Sequence, residues 1–225
     1  MAPSTDTAPV VLARAPGVGG ELVLRRSGPH YEIISNGVFL MDTRDGTSER
    51  LLVRAAVDGP AAPASVLIGG LGVGFSLAEA AARPHLRRIT VVEREPAVAD
   101  WHRGPLAPFS GGALDDPRVE LRVTDLLDWL DGEHDRHDAL CLDIDNGPHW
   151  TVTPGNARLY GPAGLRRLAD RLTPRGVLAV WSAGDAPGFA DLLRDRFRSV
   201  DVRAVPVRRG EPDLVYLARG PRPGD

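Results

Sequence analysis

From Ser65 onward the chain alternates short apolar runs with stretches of helical character, and nothing else in it limits the fold so tightly. The apolar runs are SVLIGG (65–70), RITVVE (88–93), VELRV (119–123), ALCLD (139–143), GVLAVWS (176–182), VDVRAVPV (200–207) and DLVYLA (213–218). Helical stretches fall between them at 75–83, 96–103, 125–131, 161–171 and 186–197. Strand, helix, strand, helix predicts an α/β fold with a doubly wound, mostly parallel sheet covered on both faces. The last two runs are joined through the short RRGEP segment, too short for a parallel crossover. They are therefore expected to form an antiparallel C-terminal hairpin in a sheet of seven strands.

Three segments follow. Residues 1–20, rich in Pro, Ala and Gly, are expected to be a loose lead-in, and 21–60 a small N-terminal β hairpin extension with its linker. Residues 61–225 form the main domain. Within the extension, ELVLRR (21–26) and YEIISNGVFLMDT (31–43) have strand character, and Asn36-Gly37 is a strong two-residue hairpin signal. TSERLLVRAAV (47–57) predicts a helix capped by Ser48, and DGPAAPA (58–64) a turn-rich link.

A net charge of −3 with both signs interspersed leaves no basic footprint for nucleic acid. No apolar run reaches the roughly 18–20 residues of a membrane span, and the first 20 residues lack a signal-peptide pattern. Cys141 is the sole cysteine, so no intrachain disulfide forms; a reducing cytoplasm is expected, with the thiol buried and inert. All 27 basic residues are Arg, which we read as the coding bias of a GC-rich genome. His134 and His137, beside Asp135 and Asp138, sit in a polar turn without a spaced partner cluster, so no metal is expected.

The chemistry gathers where strands end. Gly70, Gly72 and Gly74 in VLIGGLGVGFS follow the first apolar run and open a helix, which permits a tight turn and close approach of a ligand to the backbone. Glu93 closes the next run, 23 residues beyond Gly70, near the spacing at which an acid reaches ribose hydroxyls in a nucleotide-binding βαβ unit. Asp125 follows the third run and can cap the next helix, bind an adenine amine, or both. The fourth run breaks off into Asp143, Asp145, Asn146, His149 and Trp150. In an open α/β sheet these strand ends surround one crevice.

With these motifs in order, the chain resembles the class I S-adenosylmethionine-dependent methyltransferases, a Rossmann-like fold. More narrowly it is similar to the spermidine synthase, or polyamine aminopropyltransferase, family. VVERE, DPRVELRVTD, HDALCLDIDNGP and LYGPAGLRRLADRLTPRGVLAV carry the likeness, which runs from about residue 21 to 207. The resemblance implies S-adenosylmethionine or, in the aminopropyl branch, its decarboxylated form. It implies Glu93 on the ribose, Asp125 on the adenine amine, and Asp143 beside the cofactor as the catalytic acid.

Departures from the family shape the functional expectation. Gly72 stands where the family's glycine loop has an Asp, Leu40 where it has a Gln, and Asn146 where it has a second acid. The family's DE..YHE run meets SERLLVR (48–54), which puts Leu52 and Val53 in place of Tyr and His. A polyamine pocket needs several carboxylates. The leading expectation is therefore methyl transfer to a small-molecule acceptor. Aminopropyl transfer is the alternative, and a non-catalytic cofactor-binding module a third reading. Asp143, then Asp145 and His149, are the candidates for orienting or deprotonating the acceptor. Asn146, Trp150, Tyr160 and Phe39 are the candidate acceptor contacts. The four consecutive apolar residues 38–41 predict a homodimer, with Phe39 or Leu40 buried beside the acceptor.

Overall fold

Asn36 and Gly37 both adopt positive φ, 49° and 79°, as a two-residue hairpin turn between twisted strands requires. They join β3 (His30–Ser35) to β4 (Val38–Asp42), with Ser35 opposite Val38. In this computed structural model, which describes residues 8–59, 63–132, 135–207 and 210–223, the N-terminal extension is more than a hairpin. β1 (Val10–Gly17), β2 (Gly20–Ser27), β3 and β4 form a four-stranded antiparallel sheet in that order. Residues 10–17 thus differ from the loose lead-in that their composition suggested. Pro16 is tolerated because β1 is an edge strand, and Ala13 and Ala15 pack inward. Residues 1–7 lie outside the described residues. Leu22, Leu24 and Ile33 carry the inner face of this sheet into the main core.

α1 (Thr47–Val57) leads into the main sheet. Its N-cap is Gly46, with no side-chain capping bond, which corrects the expectation for Ser48. The Ser48 hydroxyl turns instead toward Asp213 Oδ2, 2.7 Å away. The sheet has seven strands in the order β10-β11-β9-β8-β5-β6-β7. They are β5 (Ser65–Gly69), β6 (Arg88–Glu93), β7 (Val119–Val123), β8 (His137–Leu142), β9 (Leu172–Ser182), β10 (Phe197–Val205) and β11 (Asp213–Pro221). β11 runs antiparallel to both neighbours, as the short connection before it predicts. α2 (Phe75–Ala81), α3 (Pro96–Trp101), α4 (Leu126–Asp131), α5 (Ala157–Tyr160), α6 (Pro162–Asp170) and α7 (Phe189–Arg196) link the strands. Two apolar clusters, one on each face, bury the strand interiors. Strand order reverses between β5 and β8, so the carboxyl ends of β5, β6 and β8 frame one crevice.

At the other end of the strands Asp138 ties three elements together. It accepts from the backbone N–H of Ala64 (2.9 Å) and Ser65 (3.1 Å) and from the hydroxyls of Ser65 (3.0 Å) and Thr173 (3.1 Å). Asp138→Ala leaves these partly buried donors unpaired and is expected to cost about 1–3 kcal/mol, read by urea denaturation. His137, next to it, is a core residue: its Nε2 lies 3.2 Å from Thr90 Oγ1, and burial pushes its pKa down to about 4. Among the described residues no cluster suits a metal; His134 lies outside them. No helix among the described residues is long and apolar enough to cross a membrane.

Candidate active site

The chain reverses sharply after β5. Gly70 has φ of 93°, its N–H donates to Val92 O (2.9 Å), and an added Cβ would run into the Asp143 carbonyl oxygen. Only glycine lets the two strand ends approach so closely. Gly72 (φ 50°) and Gly70 both line a cavity of about 170 Å³, while Gly74 (φ 98°) is the left-handed cap of α2, packed on His102 and Ser110. Glu93 is buried at the end of β6 and accepts from the N–H of Leu71 (2.8 Å) and Glu95 (2.7 Å). These bonds fix the carboxylate on the cavity wall against a burial cost that raises its pKa. Asp125 lines the same cavity and caps α4, accepting from Leu127 N–H at 2.8 Å. Glycine backbone, a fixed carboxylate and Asp125 in one cavity fit the nucleoside half of the ligand that the sequence resemblance implies.

The other end of the cavity is acidic. Asp143 accepts from Ser76 Oγ at 2.8 Å, and the same oxygen lies 3.4 Å from the Glu49 carbonyl on α1. Ser48 Oγ stands between two further carboxylates, 3.0 Å from Glu49 Oε2 and 2.7 Å from Asp213 Oδ2. Burial, above all, raises the pKa of Glu49, Asp143 and Asp213; Asp143 adds its charge at Glu49, and Asp213 and Glu93 add theirs at Asp143. Among the described lining residues only Arg94 is cationic, and it pairs with Glu95 at 2.9 Å. These carboxyls therefore hold protons above the ordinary carboxylate range unless a cation joins them. A raised folded-state pKa gives stability that is fully present below the unfolded pKa and lost as pH rises through the folded one. The ligand-free protein should therefore lose stability as pH climbs above the ordinary carboxylate range. Glu49→Gln should gain in melting temperature relative to the parent over that range and not below it. An equal difference at all pH values would contradict the assignment.

The structure sorts the other sequence candidates. Asp145 (φ 53°) lines the cavity and is held by Asn156 Nδ2 at 2.6 Å. Asn146 serves the turn through its carbonyl, which accepts from Ala183 N–H, and is not among the lining residues. His149 is exposed and Trp150 is 59% exposed, so neither stands at the cavity. Tyr160 is core: it is buried against Phe189, and its hydroxyl donates to Ile144 O at 3.2 Å. Phe39 faces outward at 48% exposure, because β4 turns Leu40 and Met41 to the cavity instead. Glu49, Ser76, Met41, Trp181 and Asp213 escaped the sequence reading. Of these only Glu49 carried a signal, as the acid that SERLLVR keeps from the DE..YHE run.

No protein-family model matches the chain. Among curated proteins it is similar to polyamine aminopropyltransferases, three bacterial ones among them. For Mycobacterium tuberculosis the identity is 32% over 165 residues, covering 71% of this chain and 30% of that protein. For Streptomyces coelicolor it is 29% over 190 residues (83% and 33%), and for Pseudomonas aeruginosa 33% over 173 residues (73% and 47%). The chain thus spans 30% to 47% of the length of these relatives. Among solved structures, a spermidine synthase in complex with the transition state analogue AdoDATO superposes with a TM-score of 0.79 at 18% identity, covering 93% of this chain and 73% of that one. The Thermotoga maritima spermidine synthase gives 0.75 at 16% identity (93% and 72%). Human methyltransferase-like protein 13 in complex with SAH gives 0.55 at 22% identity (76% and 75%). The fold is that of the class I methyltransferase-like proteins. Within that class, sequence and fold together put this chain in the spermidine synthase-like branch.

Proposed function

We propose that this chain transfers the aminopropyl group of decarboxylated S-adenosylmethionine to an amine. The observation that carries this reading is the pair of carboxyls Glu49 and Asp143 in a cavity with no free cation among its described lining residues, with Asp213 linked to Glu49 through Ser48. Recessed carboxylates without a counter-charge favour a cationic guest. A donor tail that ends in an ammonium group, and an acceptor that is itself an amine, supply that charge. A methionine tail would bring a further carboxylate to acids that already repel one another. The names of the curated relatives support the same choice.

The donor supplies a carbon activated by its sulfonium. Glu93 accepts from the ribose hydroxyls and Asp125 from the adenine amine. Asp143, kept in place by Ser76, orients the acceptor nitrogen and takes its proton. As that nitrogen bonds to the carbon, the C–S bond breaks and its electron pair stays on sulfur as a thioether. Leu22, Ile33, Leu40, Met41 and Trp181 wall the cavity with apolar surface, which suits an amine carrying an apolar body.

Methyl transfer is the second reading. Gly72 favours it, because Met41 Sδ occupies the space a side chain at position 72 would need. Incubation with each sulfonium donor and a panel of amines and phenols, read by product mass, separates the readings. An aminopropyl gain supports the proposal and a methyl gain supports the second reading. No product with either donor leaves the binding-module reading. We also propose a homodimer, supported by the exposed apolar residues Val10, Val11, Leu12, Val38 and Phe39 on the N-terminal sheet. Light scattering at the monomer mass of 24.1 kDa would contradict it.

A further inference from the structure

A second cavity, of about 870 Å³, lies between the C-terminal half of α1 and the part of the sheet formed by β9, β11 and the edge strand β10, and shares no described lining residue with the first. Arg54, Arg175, Arg203 and Arg219 line it, one guanidinium from each of these four elements, in a chain of net charge −3. The two acids in its wall are committed elsewhere. Asp138 is saturated by Ala64, Ser65 and Thr173, and both oxygens of Asp58 pair with Arg83, at 2.7 and 2.9 Å. Arg203 keeps a pair with Asp201 (3.1 Å), and Arg219 donates one N–H to Ala55 O (3.2 Å), which leaves further donors on each. Arg54 stays 3.7 Å from Glu79, and Arg175 has no ion pair with an acid among the described residues. Leu51 and Val177 give the cavity an apolar floor.

We propose that this cavity binds a small dianion with an apolar body, of the aryl phosphate monoester class. Four arginines line the cavity, which favours a doubly charged group that accepts several N–H bonds. The apolar floor gives the ring a place out of water, as small-molecule sites do. The test is calorimetric titration of the full chain with 1-naphthyl phosphate, using 1-naphthoate and 1-naphthol as monoanionic and neutral controls. Saturable binding is expected for the phosphate, weaker for the carboxylate and weakest for the alcohol. Arg175→Glu should weaken the phosphate by about tenfold or more, and Arg175→Lys should fall between the two. Arg175 is exposed, and far-UV circular dichroism checks that both variants keep the fold. Equal binding of 1-naphthol, an affinity unchanged by Arg175→Glu, or no saturable binding would each overturn the proposal.

Discussion

Asp143→Asn is expected to lower turnover by about two to four orders of magnitude, the usual contribution of a positioned acid–base group. Asparagine keeps the size of the side chain and an oxygen for Ser76, so the loop around it should hold. It loses the charge that holds an ammonium and the basicity that takes a proton. Steady-state kinetics, with circular dichroism as a check on folding, measure the effect. Asp145→Asn should do less, since Asp145 is already bonded to Asn156 and stands nearer the turn. A fall of less than tenfold for Asp143→Asn, or a larger one for Asp145→Asn, would move the acid–base role off Asp143.

Gly70→Ala should abolish binding of the adenosyl group and lower the melting temperature. Its φ of 93° costs an alanine roughly 1–3 kcal/mol of strain before any contact is counted. The added methyl group then meets the Asp143 carbonyl, a backbone atom that can give way only by separating β5 from β8. Binding of S-adenosylhomocysteine by calorimetry reads the first effect, and a thermal melt the second. Gly111→Ala is the matched control. Its φ is also positive, at 65°, but its Cβ would meet nothing within 4 Å, so strain alone remains. Equal losses in the two variants would mean that the close approach of the strands does not shape the site.

The parallel sheet was legible because its central strands β5, β6 and β8 are apolar runs that end in a glycine or an acid. That punctuation also exposed Gly70, Gly72, Glu93, Asp125 and Asp143, all of which line one cavity in the structure. Val10–Gly17 was hidden because Pro, Ala and Gly imitate a loose segment, and only pairing with β2 makes it a strand. Phe39 and Leu40 could not be told apart from sequence. A one-residue change of register exchanges the faces of a strand, and β3–β4 pairing carries an irregularity between Ile33 and Ile34. His149 and Trp150 drew attention by residue type, yet they follow the Gly147-Pro148 turn, which carries them out to solvent. Glu49 and Asp213 were missed for the opposite reason. They are 164 positions apart and meet at Ser48, so the local pattern that keeps Glu49 does not announce a charge cluster shared with Asp213. That omission tilted the sequence reading toward methyl transfer.

The most direct test is a paired calorimetric titration with decarboxylated S-adenosylmethionine and with S-adenosylmethionine itself, on the parent chain and on Glu49→Gln. If the cluster is built for a tail that ends in an ammonium group, the decarboxylated donor binds the parent about tenfold tighter or more, and Glu49→Gln narrows the gap. S-Adenosylmethionine binding as tightly as its decarboxylated form, with a gap that Glu49→Gln leaves untouched, would contradict the account.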